Sequence, residues 1–367
     1  MPRLVACLLP GGDRFVEELR RVWDDGDALL PVDRRLPHAS QVALIERMGA
    51  EVVVDEDGDR TVGVGWPVEP GDALVMATSG STGDPKGVVL THDAVAANAR
   101  ATSAYLEVDP ERDCWLSCLP LAHVGGLSVV FRALLTGAPV VVHDGFEAGR
   151  VEEAARRGAT LASFVPTAMA RIDAGLFRRI LVGGSAIPDD RPDNAVITYG
   201  MTETGSGVVY DRRPLEGVEI RIVDGEVQLR CPMLLRCYRD GTDPRLEGGW
   251  YPTGDAGAFE GGELSVFGRR GDMIISGGEN VWPVAVERAL EGLDGADALA
   301  VVGRPDPEWG EVVTLIVVPT VPDRPPSLAE ARELVRERLA PYCAPRAIEV
   351  VDRLPTTALG KVQRHLL

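Results

Sequence analysis

A ten-residue segment rich in glycine and hydroxyl side chains is the feature that most constrains how this chain can fold. It comprises Thr78, Ser79, Gly80, Ser81, Thr82, Gly83, Asp84, Pro85, Lys86 and Gly87. Backbone N–H groups and hydroxyls in such a segment can all turn toward one anion, which is the chemistry of phosphate binding. Apolar runs at 73–77 and 88–90 flank it, so we expect a loop between two strands. A Walker-type loop is excluded, because Pro85 precedes the lysine and Gly87 follows it.

The distribution of basic residues singles out two positions. The chain has 38 lysines and arginines, and only Lys86 and Lys361 among them are lysines. A compact ammonium on a flexible stem meets a phosphate as a movable point charge, which a planar guanidinium does not replace. We therefore predict a chemical role for both lysines. The alternative for Lys361 is an ordinary surface lysine close to the C-terminus.

Length and charge limit the classes of protein to consider. At 367 residues the chain exceeds one typical core, which predicts a large domain with a smaller one. The net charge of -18 argues against nucleic-acid partners and anionic membrane surfaces, so a polyanionic substrate needs local cations and a metal. The N-terminus lacks a signal-peptide pattern, and no apolar run approaches the length of a membrane span. We expect a cytoplasmic protein whose six cysteines are free thiols.

Alternating helix and strand signals predict an α/β N-terminal domain and a small α+β C-terminal domain. Ser40 and Thr91 are predicted helix N-caps, and Ser327 with Glu330 forms the pattern of a capping box. The charged, glycine-flanked joint 268–272 is the predicted domain boundary. Residues 1–270 then form the large domain, and residues 271–367 form a small domain that carries Lys361.

Several polar side chains lie where predicted strands end, which is where ligands bind in open α/β sheets. His123 is followed by two glycines that permit close approach of a ligand, although a lone histidine is more often a core or surface residue. Tyr199 and Glu203 offer a flat surface for a base and a ligand for a hard cation, and the alternative is a strand with a polar turn. Asp255 suits ribose hydroxyls, and the alternative is a turn-capping aspartate.

Together these motifs resemble the acyl-adenylate-forming ligases, which include acyl-CoA and aryl-CoA synthetases. The matching segments, in order, are the phosphate loop 78–87, the adenine and Mg²⁺ motif 199–203, the ribose motif 251–255, the hinge motif at 268–269 and the catalytic-lysine motif 355–361. The resemblance implies the adenylate-forming ligase fold, ATP and Mg²⁺ as cofactors, CoA as co-substrate and a small carboxylic acid as substrate. It also implies that the small domain rotates about Gly271 or Asp272 between two half-reactions.

The resemblance also assigns roles to individual residues. Those implied to bind ATP are Thr78, Ser79, Gly80, Ser81, Thr82, Gly83, Lys86, Gly183, Gly184, Ser185, Tyr199, Gly200, Met201, Asp255 and Arg269. Those implied to be catalytic are Lys361, Thr202, Glu203 and His123, with Glu203 as the metal ligand. The acid pocket is expected to include His123, Gly125, Gly126, Phe164, Thr204 and Gly205, and the CoA channel Ser276, Gly277 and Gly278.

Within this family, the chain is most similar to the o-succinylbenzoate–CoA ligases of menaquinone biosynthesis. This similarity is based on two segments, 119–143 and 276–283. Another aryl- or acyl-CoA synthetase is the alternative, and a nucleotide-binding protein without catalysis is the alternative from a different class. The presence of Glu203 and Lys361 argues against the non-catalytic protein, because a site that only binds nucleotide needs neither residue. A homodimer is a candidate oligomeric state, because family members are often dimers.

Overall fold

The computed structural model of the protein describes residues 1–63, 65–79, 85–184, 191–356 and 362–367. Strands and helices alternate in the first part of the chain. They are β1 (Leu4–Cys7), α1 (Asp13–Asp24), β2 (Ala28–Pro31), α2 (His38–Met48), β3 (Val52–Asp55), β4 (Gly58–Thr61), β5 (Asp72–Ser79), β6 (Pro85–Thr91), α3 (His92–Tyr105), β7 (Trp115–Ser117), α4 (Val124–Thr136), β8 (Val140–Val142), α5 (Ala148–Arg156), β9 (Leu161–Phe164), α6 (Pro166–Met169), β10 (Arg179–Val182), β11 (Ala195–Met201), β12 (Ser206–Tyr210) and β13 (Arg213–Pro214).

The second part of the chain contains more strand than helix. Its elements are β14 (Glu219–Val223), β15 (Glu226–Arg230), β16 (Cys237–Tyr238), β17 (Tyr251–Glu260), β18 (Glu263–Arg269), β19 (Ile274–Ser276), β20 (Glu279–Val281), α7 (Pro283–Ala289), β21 (Ala296–Asp306), β22 (Gly310–Pro319), α8 (Leu328–Arg338) and β23 (Ala347–Val350). Each described helix is too short or too polar to serve as a membrane span.

The chain divides into two compact units. The first comprises 1–220 and 229–251, and the second comprises 221–228 and 252–367. The predicted boundary at residue 270 lies inside the second unit, and the independent movement of 271–367 remains a prediction. The architecture agrees with the expected large α/β portion followed by a smaller α+β portion.

Two seven-stranded sheets organise the first unit. One has the order β16-β6-β5-β2-β1-β3-β4, and the other has the order β13-β12-β11-β10-β9-β7-β8. Helices α3 and α4 pack on each other, and their apolar faces join a buried cluster that includes Leu74, Leu90, Val95 and Phe131. Parallel and antiparallel pairs both occur in these sheets, and β5–β6 and β11–β12 are among the antiparallel ones. The predicted phosphate loop and the predicted metal-ligand segment therefore each fall between the strands of an antiparallel pair.

The second unit contains a four-stranded sheet, β14-β15-β17-β18, and a separate five-stranded sheet. The latter has the order β20-β19-β22-β21, and β23 pairs in parallel with β22. Its core combines Val286 and Leu290 from the region of α7 with Val335 from α8 and with apolar residues of β21 and β22.

The predicted helix caps can be compared with the structure one by one. The Thr91 hydroxyl accepts a hydrogen bond from the Ala94 N–H at 3.2 Å, which confirms it as the N-cap of α3. The Ser327–Glu330 capping box is also confirmed. The prediction for Ser40 was wrong, because α2 begins at His38 after Pro37. The Ser40 N–H already bonds to the Pro37 carbonyl at 2.8 Å, which places Ser40 inside the first turn.

Candidate active site

The strands on both sides of the phosphate loop are held in register close to its ends. Thr78 of β5 lies opposite Lys86 of β6, and the Thr78 hydroxyl donates to the Lys86 carbonyl at 3.5 Å. The predicted loop residues Gly80, Ser81, Thr82 and Gly83 lie outside the described residues. The pairing of β5 with β6 confirms the predicted strands on both sides of this segment, and the Lys86 side chain is exposed.

The connection between β11 and β12 carries the predicted metal ligand. A single 3-10 turn, Thr202–Thr204, joins the strands and ends at Gly205, whose φ is 68°. Gly200 is required here, since a Cβ at this position would lie 2.2 Å from the Ser206 carbonyl oxygen of the paired strand. The close approach of the two strands thus depends on this glycine, and Glu203 lies on the turn that joins them.

The interior of the same turn is fixed by buried polar groups. The Thr204 hydroxyl accepts a hydrogen bond from the Met201 N–H at 3.0 Å and lies 2.7 Å from the Ser206 carbonyl oxygen. The Asn98 amide, from α3, donates to the carbonyls of Thr204 and Gly207. Thr204 is fully buried, so the structure gives it a place in holding the turn, and its predicted contact with substrate remains a prediction.

Two tyrosines surround the carboxylate of Glu203. The Tyr238 hydroxyl donates to Glu203 Oε1 at 3.1 Å, and the Tyr251 hydroxyl lies 3.3 Å from that of Tyr238. Burial raises the pKa of Tyr238 to about 12 and also raises the pKa of Tyr251. Both phenols are therefore protonated donors at neutral pH. The Lys86 Nζ lies 5.1 Å from the centroid of the Tyr238 ring, on which it makes a cation–π contact.

A fully buried arginine lies behind the turn. Arg132, on α4, donates through Nη2 to the Ser206 hydroxyl at 3.3 Å and stacks over Trp115 with its Cζ 4.9 Å from the ring centroid. Its Nε and Nη1 have no hydrogen-bond acceptor among the described residues. Burial lowers the pKa of Arg132. A guanidinium in this position is a strong, unsatisfied donor toward an anion.

His123 precedes α4 and occupies its N-cap position without a side-chain capping bond. Its Nε2 lies 3.8 Å from Asp33 Oδ2, too far for a hydrogen bond, and is a buried nitrogen without a partner in the described structure. Burial lowers the pKa of His123, and the neighbouring Asp33 carboxylate only partly opposes this effect. A neutral imidazole with one unpaired nitrogen is suited to hydrogen bonding with a ligand.

The other predicted acid-pocket residues differ in their surroundings. A Cβ on Gly125 would make only an ordinary van der Waals contact, at 3.6 Å from Leu119 Cδ1, whereas Gly126 packs against the carbonyls of Leu119 and Pro120. Phe164 is only 2% exposed and makes edge-to-face contacts with Phe146 and Phe177. The structure thus places Phe164 in the core, where its large apolar ring is fully used in packing.

The predicted adenine-binding segments follow neighbouring strands. Gly183 and Gly184 come directly after β10. Strand β11 ends with Tyr199, Gly200 and Met201, and it is the parallel neighbour of β10. Ser185 lies outside the described residues. Because parallel strands end at the same edge of a sheet, these two segments lie side by side, as the sequence predicts.

In the second unit, Asp255 of β17 and Arg269 of β18 are directly opposite and form an ion pair with a 3.1 Å distance between Oδ1 and Nε. Arg269 also donates to the Thr253 carbonyl at 2.7 Å, and the Thr253 hydroxyl donates to the Val227 carbonyl. The two predicted ribose-binding residues are therefore brought together on one rigid hairpin. Asp255 is 7% exposed, so its carboxylate is largely shielded from water.

The predicted CoA segment forms the turn between β19 and β20. A cavity of about 790 Å³ is lined by Gly277, Gly278 and Trp309, among other residues. Ser276 is 4% exposed and is not one of the residues that line this cavity. Lys361 lies outside the described residues, and an antiparallel bridge joins Thr356 to Val362, the described residues on either side of 357–361.

The donor set around Glu203 can be tested for its fit to Mg²⁺. Among the described residues, no group of three or more histidine, cysteine, aspartate and glutamate side chains could enclose a metal ion. Mg²⁺ in nucleotide-dependent enzymes is commonly bound by one or two carboxylates together with water and substrate phosphates. One accessible carboxylate near Lys86 fits that arrangement, and the metal would depend on the nucleotide for its remaining ligands.

Sequence reasoning missed Tyr238 and Arg132. Arg132 had a detectable signal, since it is the one charged residue in the largely apolar run 127–135. Tyr238 had none, because β16 comprises only two residues and pairs with β6, which is almost 150 positions earlier in the sequence.

Comparison with known proteins gives a consistent assignment. Residues 17–233 match the family model described as AMP-binding enzyme, and residues 285–361 match that of the AMP-binding enzyme C-terminal domain. A 2-succinylbenzoate–CoA ligase of Listeria monocytogenes is 35% identical over 328 residues, which cover 80% of this chain and 69% of the relative. A feruloyl-CoA synthase of an Amycolatopsis species is 36% identical over 338 residues, with coverage of 79% and 68%.

Solved structures agree in fold along the whole chain. The o-succinylbenzoate CoA synthetase of Bacillus subtilis, in complex with its acyl-adenylate intermediate, has a TM-score of 0.87 at 28% identity and covers 99% of this chain and 87% of its own. The same enzyme with ATP and magnesium ion has a TM-score of 0.86 and covers 99% and 88%. The predicted adenylate-forming ligase fold and the predicted class, an AMP-forming acid–thiol ligase, are confirmed. The chain belongs to the AMP-binding enzyme family.

Proposed function

We propose that this chain joins 2-succinylbenzoate to CoA in two half-reactions that require ATP. In the first, a carboxylate oxygen of the acid attacks the α-phosphorus of ATP, the bond to pyrophosphate breaks, and an acyl-adenylate forms. In the second, the CoA sulfur attacks the acyl carbon, and AMP leaves as the thioester forms. Relatives that carry the name 2-succinylbenzoate–CoA ligase, with about one third of positions identical, support this proposal.

Both reactants of the first step are anions, so catalysis depends on positioning and on neutralisation of charge. Mg²⁺, when bound to Glu203, would neutralise charge on the phosphates. Lys86 and the loop hydroxyls would hold the β- and γ-phosphates, and Thr202 would contact the α-phosphate. Lys361 would bridge the reacting carboxylate and the α-phosphate as negative charge moves toward pyrophosphate.

The remaining residues would hold the organic parts of the substrates. Asp255 and Arg269 would fix the ribose, and Tyr199 with 183–185 would enclose adenine. The turn at Gly277 and Gly278 would contact CoA. His123, with its unpaired Nε2, would hydrogen-bond to the acid.

The observation that carries the choice of acid is the buried guanidinium of Arg132. A cation without a carboxylate partner in the protein interior is costly, and a substrate anion would offset that cost. In 2-succinylbenzoate, one carboxylate is activated and the second stays charged. Because the Ser206 hydroxyl joins Arg132 to the turn that carries Glu203, the second carboxylate would be held close to the reacting centre.

The proposal is tested by ATP-dependent thioester formation with a panel of acids. The panel includes 2-succinylbenzoate, benzoate, ferulate and a fatty acid, each assayed with CoA and Mg²⁺. We expect 2-succinylbenzoate to have the highest kcat/KM, and we expect Arg132→Gln to lower that value while leaving benzoate almost unchanged. Arg171→Gln is the matched control, since Arg171 also stacks on an aromatic ring, that of Phe146. Equal use of all acids would contradict the proposal.

A second candidate acid is ferulate, because a feruloyl-CoA synthase is 36% identical to this chain. Ferulate has one carboxylate, so the Arg132 charge would remain without an anionic partner in that complex. A kcat/KM for ferulate above that for 2-succinylbenzoate, unaffected by Arg132→Gln, would favour this candidate.

We also infer a cytoplasmic location and a homodimeric state. The proposed location rests on the proposed reaction, and the proposed dimer rests on the family resemblance. Light scattering coupled to size-exclusion chromatography would test the dimer, and fractionation of cells that express the full chain would test the location.

A further inference from the structure

The segment 235–239 connects the two charged groups that handle the nucleotide phosphates. At one end, the Leu235 N–H donates to the Glu203 carbonyl at 2.7 Å. At the other, the Arg239 N–H donates to the Gly87 carbonyl at 2.6 Å. Tyr238 lies between these anchors and opposite Val88 in the β16–β6 pair. Its backbone is therefore tied both to the metal-ligand turn and to the strand that follows the phosphate loop.

The side chain of Tyr238 faces both charges with different chemical groups. Its hydroxyl donates to Glu203 Oε1, and its ring face meets the Lys86 ammonium. In the described structure, no ion pair joins Lys86 to Glu203, although both charges lie against the same side chain. An ammonium and a carboxylate in direct contact would neutralise each other, and neither would then be fully available to phosphate or metal.

The Tyr238 hydroxyl is itself oriented from behind. Tyr251 is 6% exposed, and its hydroxyl lies 3.3 Å from that of Tyr238. Because Tyr238 uses its proton toward Glu203, Tyr251 is left to donate to the Tyr238 oxygen. The resulting chain of hydrogen bonds holds the Glu203 carboxylate in one orientation on its turn.

We propose that Tyr238 is a positioning residue: it orients Glu203 for Mg²⁺ through its hydroxyl and keeps Lys86 apart from that carboxylate through its ring. The inference rests on the proposed function only in requiring that this site binds a metal–nucleotide complex, and it is independent of which acid is used. Hydrogen-bond partners of metal ligands commonly change metal affinity when they are removed.

The test separates the hydroxyl from the ring. Mn²⁺ binding is followed by electron paramagnetic resonance in the presence of a non-hydrolysable ATP analogue, and binding of the analogue without metal is followed by calorimetry. We expect Tyr238→Phe to weaken Mn²⁺ binding about ten-fold and to leave metal-free nucleotide binding unchanged. We expect Tyr238→Leu to weaken both, because Lys86 can then pair with Glu203.

Tyr105→Phe is the matched control, since the Tyr105 hydroxyl also donates to a carboxylate, that of Asp211, which lies at the end of the β11–β12 pair opposite this turn. Thermal unfolding of each variant verifies that it is folded, and a rise in the KM for Mg–ATP larger than the fall in kcat gives a kinetic readout. Mn²⁺ binding by Tyr238→Phe equal to that of the unsubstituted chain would overturn the positioning role alone. Failure of the unsubstituted chain to bind any metal–nucleotide complex would overturn the proposed function as well.

Discussion

Replacement of Arg132 by methionine is expected to affect the stability of the fold and the use of the substrate differently. In the folded protein, Arg132 is fully buried, and two of its nitrogens, Nε and Nη1, have no acceptor among the described residues. Each buried unsatisfied donor costs about 1–3 kcal/mol, so their removal stabilises the fold by about 2–6 kcal/mol. Methionine is unbranched and flexible, so it can fill most of the vacated volume.

The same change removes two favourable contacts. The cation–π contact with Trp115 contributes about 2 kcal/mol in a desolvated position, and the hydrogen bond to Ser206 contributes about 1 kcal/mol. The Ser206 hydroxyl keeps its 3.2 Å contact with Ser128. The net change in the free energy of unfolding then lies between a loss of about 1 and a gain of about 3 kcal/mol.

Catalysis is expected to fall whichever sign the change in stability has. A guanidinium–carboxylate contact contributes about 1.5–3 kcal/mol, so Arg132→Met should lower kcat/KM for 2-succinylbenzoate by about 10- to 100-fold. Urea denaturation measures the stability, and thioester formation measures the activity. The control is Phe131→Ala at the neighbouring buried position, which should cost about 3–5 kcal/mol. An Arg132→Met variant that loses more than about 3 kcal/mol and retains its substrate preference would refute this reasoning.

Three further predictions concern other parts of the chain. Lys361→Ala should abolish pyrophosphate exchange yet retain thioester formation from preformed acyl-adenylate, and equal loss in both half-reactions would count against a step-specific role. Gly125→Ala should be neutral or stabilise α4 by up to about 1 kcal/mol, whereas Gly126→Ala, whose Cβ would lie 2.5 Å from the Leu119 carbonyl oxygen, should destabilise it in urea denaturation. Burial lowers the pKa of His123 below its unfolded value of about 6.5. The unfolded state therefore binds more protons than the folded state, and the free energy of unfolding falls as the pH decreases below that value. His123→Gln should reduce this fall in denaturation curves between pH 7.5 and 5.5, and an unchanged pH dependence would contradict it.

Local chemistry made much of the fold predictable from sequence. The strands around the phosphate loop follow from apolar runs on both sides of a glycine-rich segment, and the caps at Thr91 and Ser327 follow from side chains that satisfy free N–H groups. The start of α2 was not predictable in the same way. Pro37 provides a fixed φ that begins the helix without a side-chain cap, so the serine three positions later misled the prediction.

Parts of the candidate site depend on contacts between distant segments, which single-sequence patterns do not encode. Asp255 and Arg269 lie on consecutive strands, so their pairing follows from a local hairpin. Tyr238 reaches Glu203 only because a two-residue strand pairs with β6 at the sheet edge. Phe164 illustrates the opposite case, since an aromatic residue at a strand end proved to be part of the core.

ATP–pyrophosphate exchange with 2-succinylbenzoate as the acid tests the formation of an acyl-adenylate most directly, because it requires neither CoA nor the second half-reaction. The proposed function predicts exchange by the purified chain that depends on both the acid and Mg²⁺ and disappears in Glu203→Gln. The absence of exchange with 2-succinylbenzoate, in a folded preparation that binds ATP, would contradict it.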